Sequence, residues 1–199
     1  MQPYDIDAMK ASLHDAQIEV LGNIRSEFSQ FLRELSDGEM TTASLSENRL
    51  VESCNLDTYD DLSSVYGPPG LYIICTSFLV EGNECTFMLQ NGLRAIYRGE
   101  CATVMRRLES HLFNEQYRNG YESRKTDKLN TGGKFSEPYY GACIKIDPSV
   151  SGINIDQGEY ANHSWAVVVL KMLGSSSALR KQAEFAFDDI FGKPAASRE

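Results

Sequence analysis

The stretch Tyr97-Arg98-Gly99-Glu100-Cys101-Ala102-Thr103-Val104-Met105-Arg106-Arg107-Leu108-Glu109-Ser110-His111 reads as the end of a strand, a tight glycine turn and an amphipathic helix. Val104, Leu108 and Leu112 recur at fours, with Cys101 and Met105 beside them, so one helix face is apolar. Arg107 and His111 stand four apart on the flank of that face. Cationic and proton-bearing groups at a strand-to-helix junction, with the Tyr97 phenol one strand-end away, suit a phosphate. Taken alone, the stretch is read more plainly as a surface helix with solvated charges.

Outward from this junction the pattern predicts a small sheet. Tyr66-Gly67-Pro68-Pro69-Gly70 breaks the chain, and Leu71 to Thr76 is rich in β-branched and aromatic residues. Asn91-Gly92 signals a hairpin turn, with Cys85 to Leu89 before it and the strand Leu93 to Tyr97 after it. Residues 114–138 are polar and basic and read as a long loop. Tyr139 to Ile146 reads as a strand, and Trp165 to Leu170 as an apolar central strand. Ser175-Ser176-Ser177 caps a last helix whose face is Leu179, Ala183, Ala186, Phe187, Ile190 and Phe191. Gly192-Lys193-Pro194 stops it.

Upstream, Ile6, Met9, Leu13, Ala16, Val20, Ile24, Phe28, Phe31 and Leu35 step by threes and fours along one long helix over residues 5–35. A stripe of this length needs cover, from the rest of the chain or from a second copy, which would make a homodimer. Residues 38–66 are polar and acidic and read as a linker wrapping the surface, with a short helix around Leu45 to Glu52. The expected division is an acidic helical extension and linker over 1–66 and a catalytic or binding domain over 67–199.

Charge divides the chain the same way. Residues 1–66 hold 4 Lys and Arg against 13 Asp and Glu, whereas residues 94–134 hold 9 against 5. A polyanion would therefore meet the central segment and be repelled by the leader. The 5 cysteines form no C-x-x-C pair, so a zinc knuckle or disulfide framework is not indicated. Buried, reduced thiols in a cytoplasmic protein are the expectation. No run approaches the roughly 18 apolar residues of a membrane span, and no basic apolar leader opens the sequence.

Tyr72 begins one strand and Tyr97 ends its neighbour, so an antiparallel pair can bring both phenols to one sheet edge. Glu184 flanks the apolar face of the last helix, four residues after Arg180, and an i,i+4 ion pair between them is its plain reading. Each of these signals is weak singly. As a set, Gly70-Leu71-Tyr72, Tyr97-Arg98-Gly99, Arg107, His111 and Glu184 resemble the GIY-YIG nuclease family over about residues 67–198. Arg107 falls ten residues after Tyr97 and His111 four later, which is the family's spacing.

The resemblance implies an α/β fold on a small mixed or antiparallel three-stranded sheet flanked by helices, with loops inserted at 78–92 and 114–162. It implies a metal-dependent endonuclease of restriction or mobile-element type that hydrolyses phosphodiester bonds. Double-stranded DNA is the expected partner and RNA the alternative. It also implies Tyr72 as general base, Tyr97 and His111 assisting, Arg107 stabilising charge on the phosphate, and Glu184 holding one Mg²⁺ or Mn²⁺. Arg98, Gly99 and Arg106 are expected to bind substrate. Four departures stand out: the long gap from Tyr72 to Tyr97, Arg98 in place of the usual Ile, Cys101 where Ser commonly caps the helix, and Ala195-Ala196-Ser197 after Pro194 where the family often ends in Asn. The rival expectation is a non-catalytic binding protein that keeps the fold.

Overall fold

A computed structural model describes residues 6–37, 49–146 and 152–197. Among these residues four antiparallel strands form one sheet in the order β1-β4-β2-β3: β1 (Val51–Asn55), β2 (Gly70–Thr76), β3 (Arg94–Cys101) and β4 (Trp165–Lys171). Every residue of β2 and the first six of β4 are buried. That explains why both read as continuous apolar runs, for each lies between two strands with helices or loops on both faces.

Side-chain alternation sends Leu71, Ile73, Cys75, Val168 and Leu170 to one face. There they pack against α1 (Ile6–Asp37) and α4 (Ser177–Phe191) through Leu32, Ala183 and Phe187. Tyr72, Ile74, Val167 and Val169 go to the other face, against α2 (Val104–Leu112), through Val104, Leu108 and Leu112. A register shift between Ile74 and Cys75 leaves Ile96 of β3 without a partner in β2. After this bulge, Tyr97 and Gly99 share the α2 side and Arg98 turns toward α4.

The sheet has four strands rather than the three expected, and the extra one comes from the segment expected to be a linker. β1 pairs with β4 along its whole length, and Leu56, Leu62 and Val65 are buried behind it. The helix expected around Leu45 to Glu52 lies partly outside the described residues, and from Val51 onward the chain is strand. The loop expected over 114–138 is largely a helix, α3 (Asn114–Asn130). It buries only Asn114 and Tyr117, so it carries no apolar period. Tyr139 to Ile146 forms no ladder. The Asn91-Gly92 turn is present, with Gly92 at φ +83° and its N–H donating to Leu89 O. Pairing before it is limited to a bridge between Met88 and Arg94.

α4 begins and ends where expected. Ser176 Oγ accepts from Leu179 N at 3.2 Å, and Gly192 stops the helix at φ +78°, a conformation other residues rarely adopt. α1 is continuous as expected, but only its second half is covered: Leu32 is 2% exposed, whereas Leu13 is 65% exposed. Among the described residues no helix is long and apolar enough to cross a membrane.

Candidate functional site

Tyr97, Arg98, Gly99, Arg107 and Glu184 meet at β3, an edge strand where the two helical layers come together, with Tyr72 and His111 buried behind them. Tyr97, Arg98, Gly99 and Glu100 form the floor of an open cleft of 460 Å³. Arg107 and Cys143 line one wall, and Lys181, Glu184, Phe185, Asp188 and Lys193 the other. Glu184 thus reaches the site around the strand edge, from the sheet face opposite Tyr72 and His111.

Tyr72 lies behind this floor. It is 1% exposed, and its hydroxyl is 3.0 Å from His111 Nε2. His111 is fully buried, and its Nδ1 accepts from Cys143 N at 3.2 Å. A ring nitrogen that accepts carries no proton, so the His111 proton sits on Nε2 and is donated to Tyr72 Oη. The Tyr72 and Tyr97 rings are stacked 5.9 Å apart, and each phenol acts on the titration of the other. With its oxygen already accepting from His111, the Tyr72 hydroxyl keeps its proton for the Tyr97 side, the sense in which the phenols act on each other, Tyr72 upward and Tyr97 downward. Cys143 N–H, His111 and Tyr72 are thus linked in order behind the cleft, and the phenol that faces it is Tyr97.

Burial pushes Tyr72 well above the ordinary tyrosine range, the Tyr97 phenol adds to the rise, and Arg107 opposes it. Burial likewise pushes Tyr97 up to about 12, against the hydrogen bond from Tyr72 and the charge of Arg107. The close approach of the two phenols depends on Gly99, the cross-strand partner of Tyr72. A Cβ on Gly99 would lie 2.7 Å from Tyr72 Oη and 3.0 Å from Tyr97 Cε1.

Helix α2 holds Arg107 and His111 in place, and its end is tied down by the segment before β4. Ile153 N donates to His111 O and Ile155 N to Leu112 O, which satisfies carbonyls that a helix end leaves open. Arg107 donates to Gly141 O at 2.7 Å and to Cys143 Sγ at 3.0 Å, and lies over the Tyr140 ring. Cys143 therefore sets both the His111 tautomer and the Arg107 position. Its role rests on a backbone N–H and a tertiary contact, neither of which leaves a sequence signal.

Two residues expected to contact substrate are engaged by carboxylates of the protein itself. Arg98 is 8% exposed; it forks onto Asp188 and donates to Glu184 Oε1 at 2.6 Å. Its charge neutralises carboxylates within the protein. Arg106 points into a separate pocket with Tyr59 and Glu109 and donates to Glu109 at 2.7 Å. The Arg180–Glu184 pair of the plain reading is replaced by Arg180–Glu100 at 2.7 Å, which leaves Glu184 to Arg98. Lys181, Lys193 and Asp188 went unmarked in the sequence because α4 had to be placed against β3 before they could be seen to share a cleft.

Ser197 stands three residues after Pro194, and its buried hydroxyl accepts from Arg98 N at 3.0 Å. Ala196 N donates to Ile96 O. The outer edge of β3 is thus braced at the position where the family often has Asn. Thr103 takes the cap position of α2, and Cys101 Sγ accepts from Thr103 N at 3.3 Å.

Among the described residues no group of three or more His, Cys, Asp or Glu is placed to hold a metal ion. Glu184 nevertheless suits a hydrated divalent ion that keeps water and substrate oxygens as its other ligands. Burial raises its pKa, Arg98 opposes the rise, and Glu100 and Asp188 add to it, so an added cation would be favoured there. No family model, no curated protein and no solved structure matches this chain.

Proposed function

We propose that the chain is an endonuclease that hydrolyses phosphodiester bonds, with double-stranded DNA as substrate, and that it is related to the GIY-YIG nucleases. The reading is carried by one observation: a phenol relay opens into the same cleft as Arg107 and Glu184. A protein that only bound nucleic acid would have no use for a buried, directed chain of proton donors behind its binding surface.

Hydrolysis needs a base for water, positive charge around the phosphate and a fixed geometry. The Tyr72–Tyr97 pair supplies the base, with the Tyr97 oxygen facing the water. His111 acts as a donor, because its Nδ1 is held by Cys143 N–H and its Nε2 already carries a proton. It therefore stabilises negative charge on the phenols and does not itself take the water's proton. Arg107 lowers the cost of ionising both phenols and, with Lys181 and Lys193 on the opposite wall, faces the phosphate. A Mg²⁺ or Mn²⁺ ion held by Glu184 would supply Lewis-acid stabilisation of the phosphate oxygens.

The test is cleavage of supercoiled plasmid, linear duplex and single-stranded DNA with Mg²⁺ or Mn²⁺. Cleavage that is lost in Tyr97→Phe and Arg107→Ala is expected, with duplex binding retained in Tyr97→Phe. Duplex binding without cleavage under any of these conditions would refute the enzyme reading.

A further inference from the structure

Helix α1 presents two different faces. One, bearing Leu32 and Arg25, meets α4, where Arg25 donates to Asp189 at 2.6 Å. The second carries Ile6, Met9, Leu13 and Val20, which are 55–65% exposed, and continues through Ile24 and Phe31. At about 100° per residue these six positions fall within one arc of about 60°. The spacing Ile6, Met9, Leu13, Ala16, Val20 is a two-heptad coiled-coil seam.

The lower part of this same face forms a wall of an apolar groove of 490 Å³. Ile24, Phe28 and Phe31 stand on one side, and Leu50, Leu173 and Leu179 on the other. One helix therefore bears both an uncovered apolar ridge and an open apolar groove, end to end. That is the arrangement an isologous pair requires, since each copy presents the two complementary surfaces.

We propose that two copies of this chain associate through α1, antiparallel, each ridge lying in the groove of the other. A two-fold axis between Ile18 and Glu19 sets Ile6 beside Phe31, Met9 beside Phe28 and Leu13 beside Ile24. The same register sets Lys10 opposite Glu27, an opposite-charge pair formed twice. Among the described residues Lys10 makes a loose contact with Asp7, at 3.6 Å, and Glu27 stands at the groove margin. The overlap runs over 26 residues, about 39 Å of helix. A membrane surface is a poorer occupant, because Asp7, Asp15 and Glu19 outnumber Lys10 along the ridge and anionic headgroups would repel it.

The inference is independent of the nuclease reading and is tested without activity. Sedimentation equilibrium of the full chain should approach twice its 22.3 kDa at about 100 µM. Leu13→Lys should return the monomer mass with unchanged Trp165 fluorescence, since Leu13 is exposed and its loss leaves the core intact. Lys10→Glu and Glu27→Lys should each raise the dimer Kd at least tenfold, and the two together should restore it. A wild-type monomer at 100 µM (about an order of magnitude above the expected Kd), a Leu13→Lys variant that stays dimeric, or a double swap that fails to restore pairing would each overturn the proposal.

Discussion

Replacing Gly99 by alanine tests whether the phenol relay is as tightly enclosed as its geometry indicates. The new Cβ would sit 2.7 Å from Tyr72 Oη, 2.9 Å from Tyr72 Cζ and 3.0 Å from Tyr97 Cε1, where ordinary contact begins at 3.4 Å. One of the rings must therefore give way by up to about 0.7 Å. Tyr72 has little freedom to do so, being fully buried and bonded to His111. Overpacking of this kind costs about 1–3 kcal/mol, or about 2–12 °C in Tm for a chain of this length. A displacement approaching 1 Å in a positioned catalytic group costs about 10²-fold in rate. Urea unfolding followed by the single Trp165 and single-turnover cleavage measure the two effects. Tyr72→Phe removes the nearest atom, so in that background the stability penalty of Gly99→Ala should shrink; a double-mutant cycle reads the coupling. A Gly99→Ala protein with wild-type stability and wild-type cleavage would refute the enclosed relay.

Four further outcomes follow from the site. If the base is a phenol, as proposed, it is held above its ordinary range, with Tyr97 near 12, and cleavage should rise about tenfold per pH unit from pH ~7 to ~9; a plateau in that window would exclude a phenolate base. The same shift works against the fold in alkali: a raised folded-state pKa gives stability that is complete below pH ~10 and is lost as pH rises toward 12, at about 1.4 kcal/mol per unit per tyrosine. Tyr97→Phe should flatten that slope in unfolding measurements across the same range. Arg98→Met leaves Glu184 and Asp188 facing each other without their shared guanidinium and should cost about 3 kcal/mol at neutral pH. It raises Glu184 further, so the loss should lessen toward pH ~5, and Mn²⁺ should raise its Tm more than that of the wild type. Glu184→Ala, or chelator added to the parent protein, should abolish cleavage, and activity that survives either would exclude the single-carboxylate metal site.

How far the fold could be read depended on how local each signal was. Helix α2 announced itself through Val104, Leu108 and Leu112, α4 through its apolar face with Ser176 and Gly192 at its ends, and β4 through an unbroken run from Trp165. β1 did not: Val51-Glu52-Ser53-Cys54-Asn55 has no clear alternation, and its partner strand lies more than a hundred residues away. α3 is polar on nearly all sides and buries only Asn114 and Tyr117, its other contacts being largely polar, such as the Arg124–Glu137 ion pair and Gln116 with Asp156, so periodicity had nothing to register. In the site, the spacing of Tyr72, Tyr97, Arg107 and His111 was visible because three of the four lie on one continuous strand and helix. The role of Arg98 was hidden by the bulge at Ile96, which sets the side of the sheet to which it turns. Cys143 was hidden because its amide, rather than its side chain, meets His111.

The strand order also governs how the chain must be made. β1 and β2 are neighbours in sequence but not in space; each waits for β4, which enters between them. At about 5–20 residues per second, the interval between Thr76 and Trp165 leaves the emerging β1 and β2 unpaired along their β4-facing edges for about 5–20 s. Through that interval the native elements already made that can shield the apolar stretch Leu71 to Cys75 are its hairpin partner β3 and the helices α1 and α2. Assembly of this sheet is therefore slow and late, and the cleft cannot form until α4, which supplies Glu184, has followed β4 out of the ribosome.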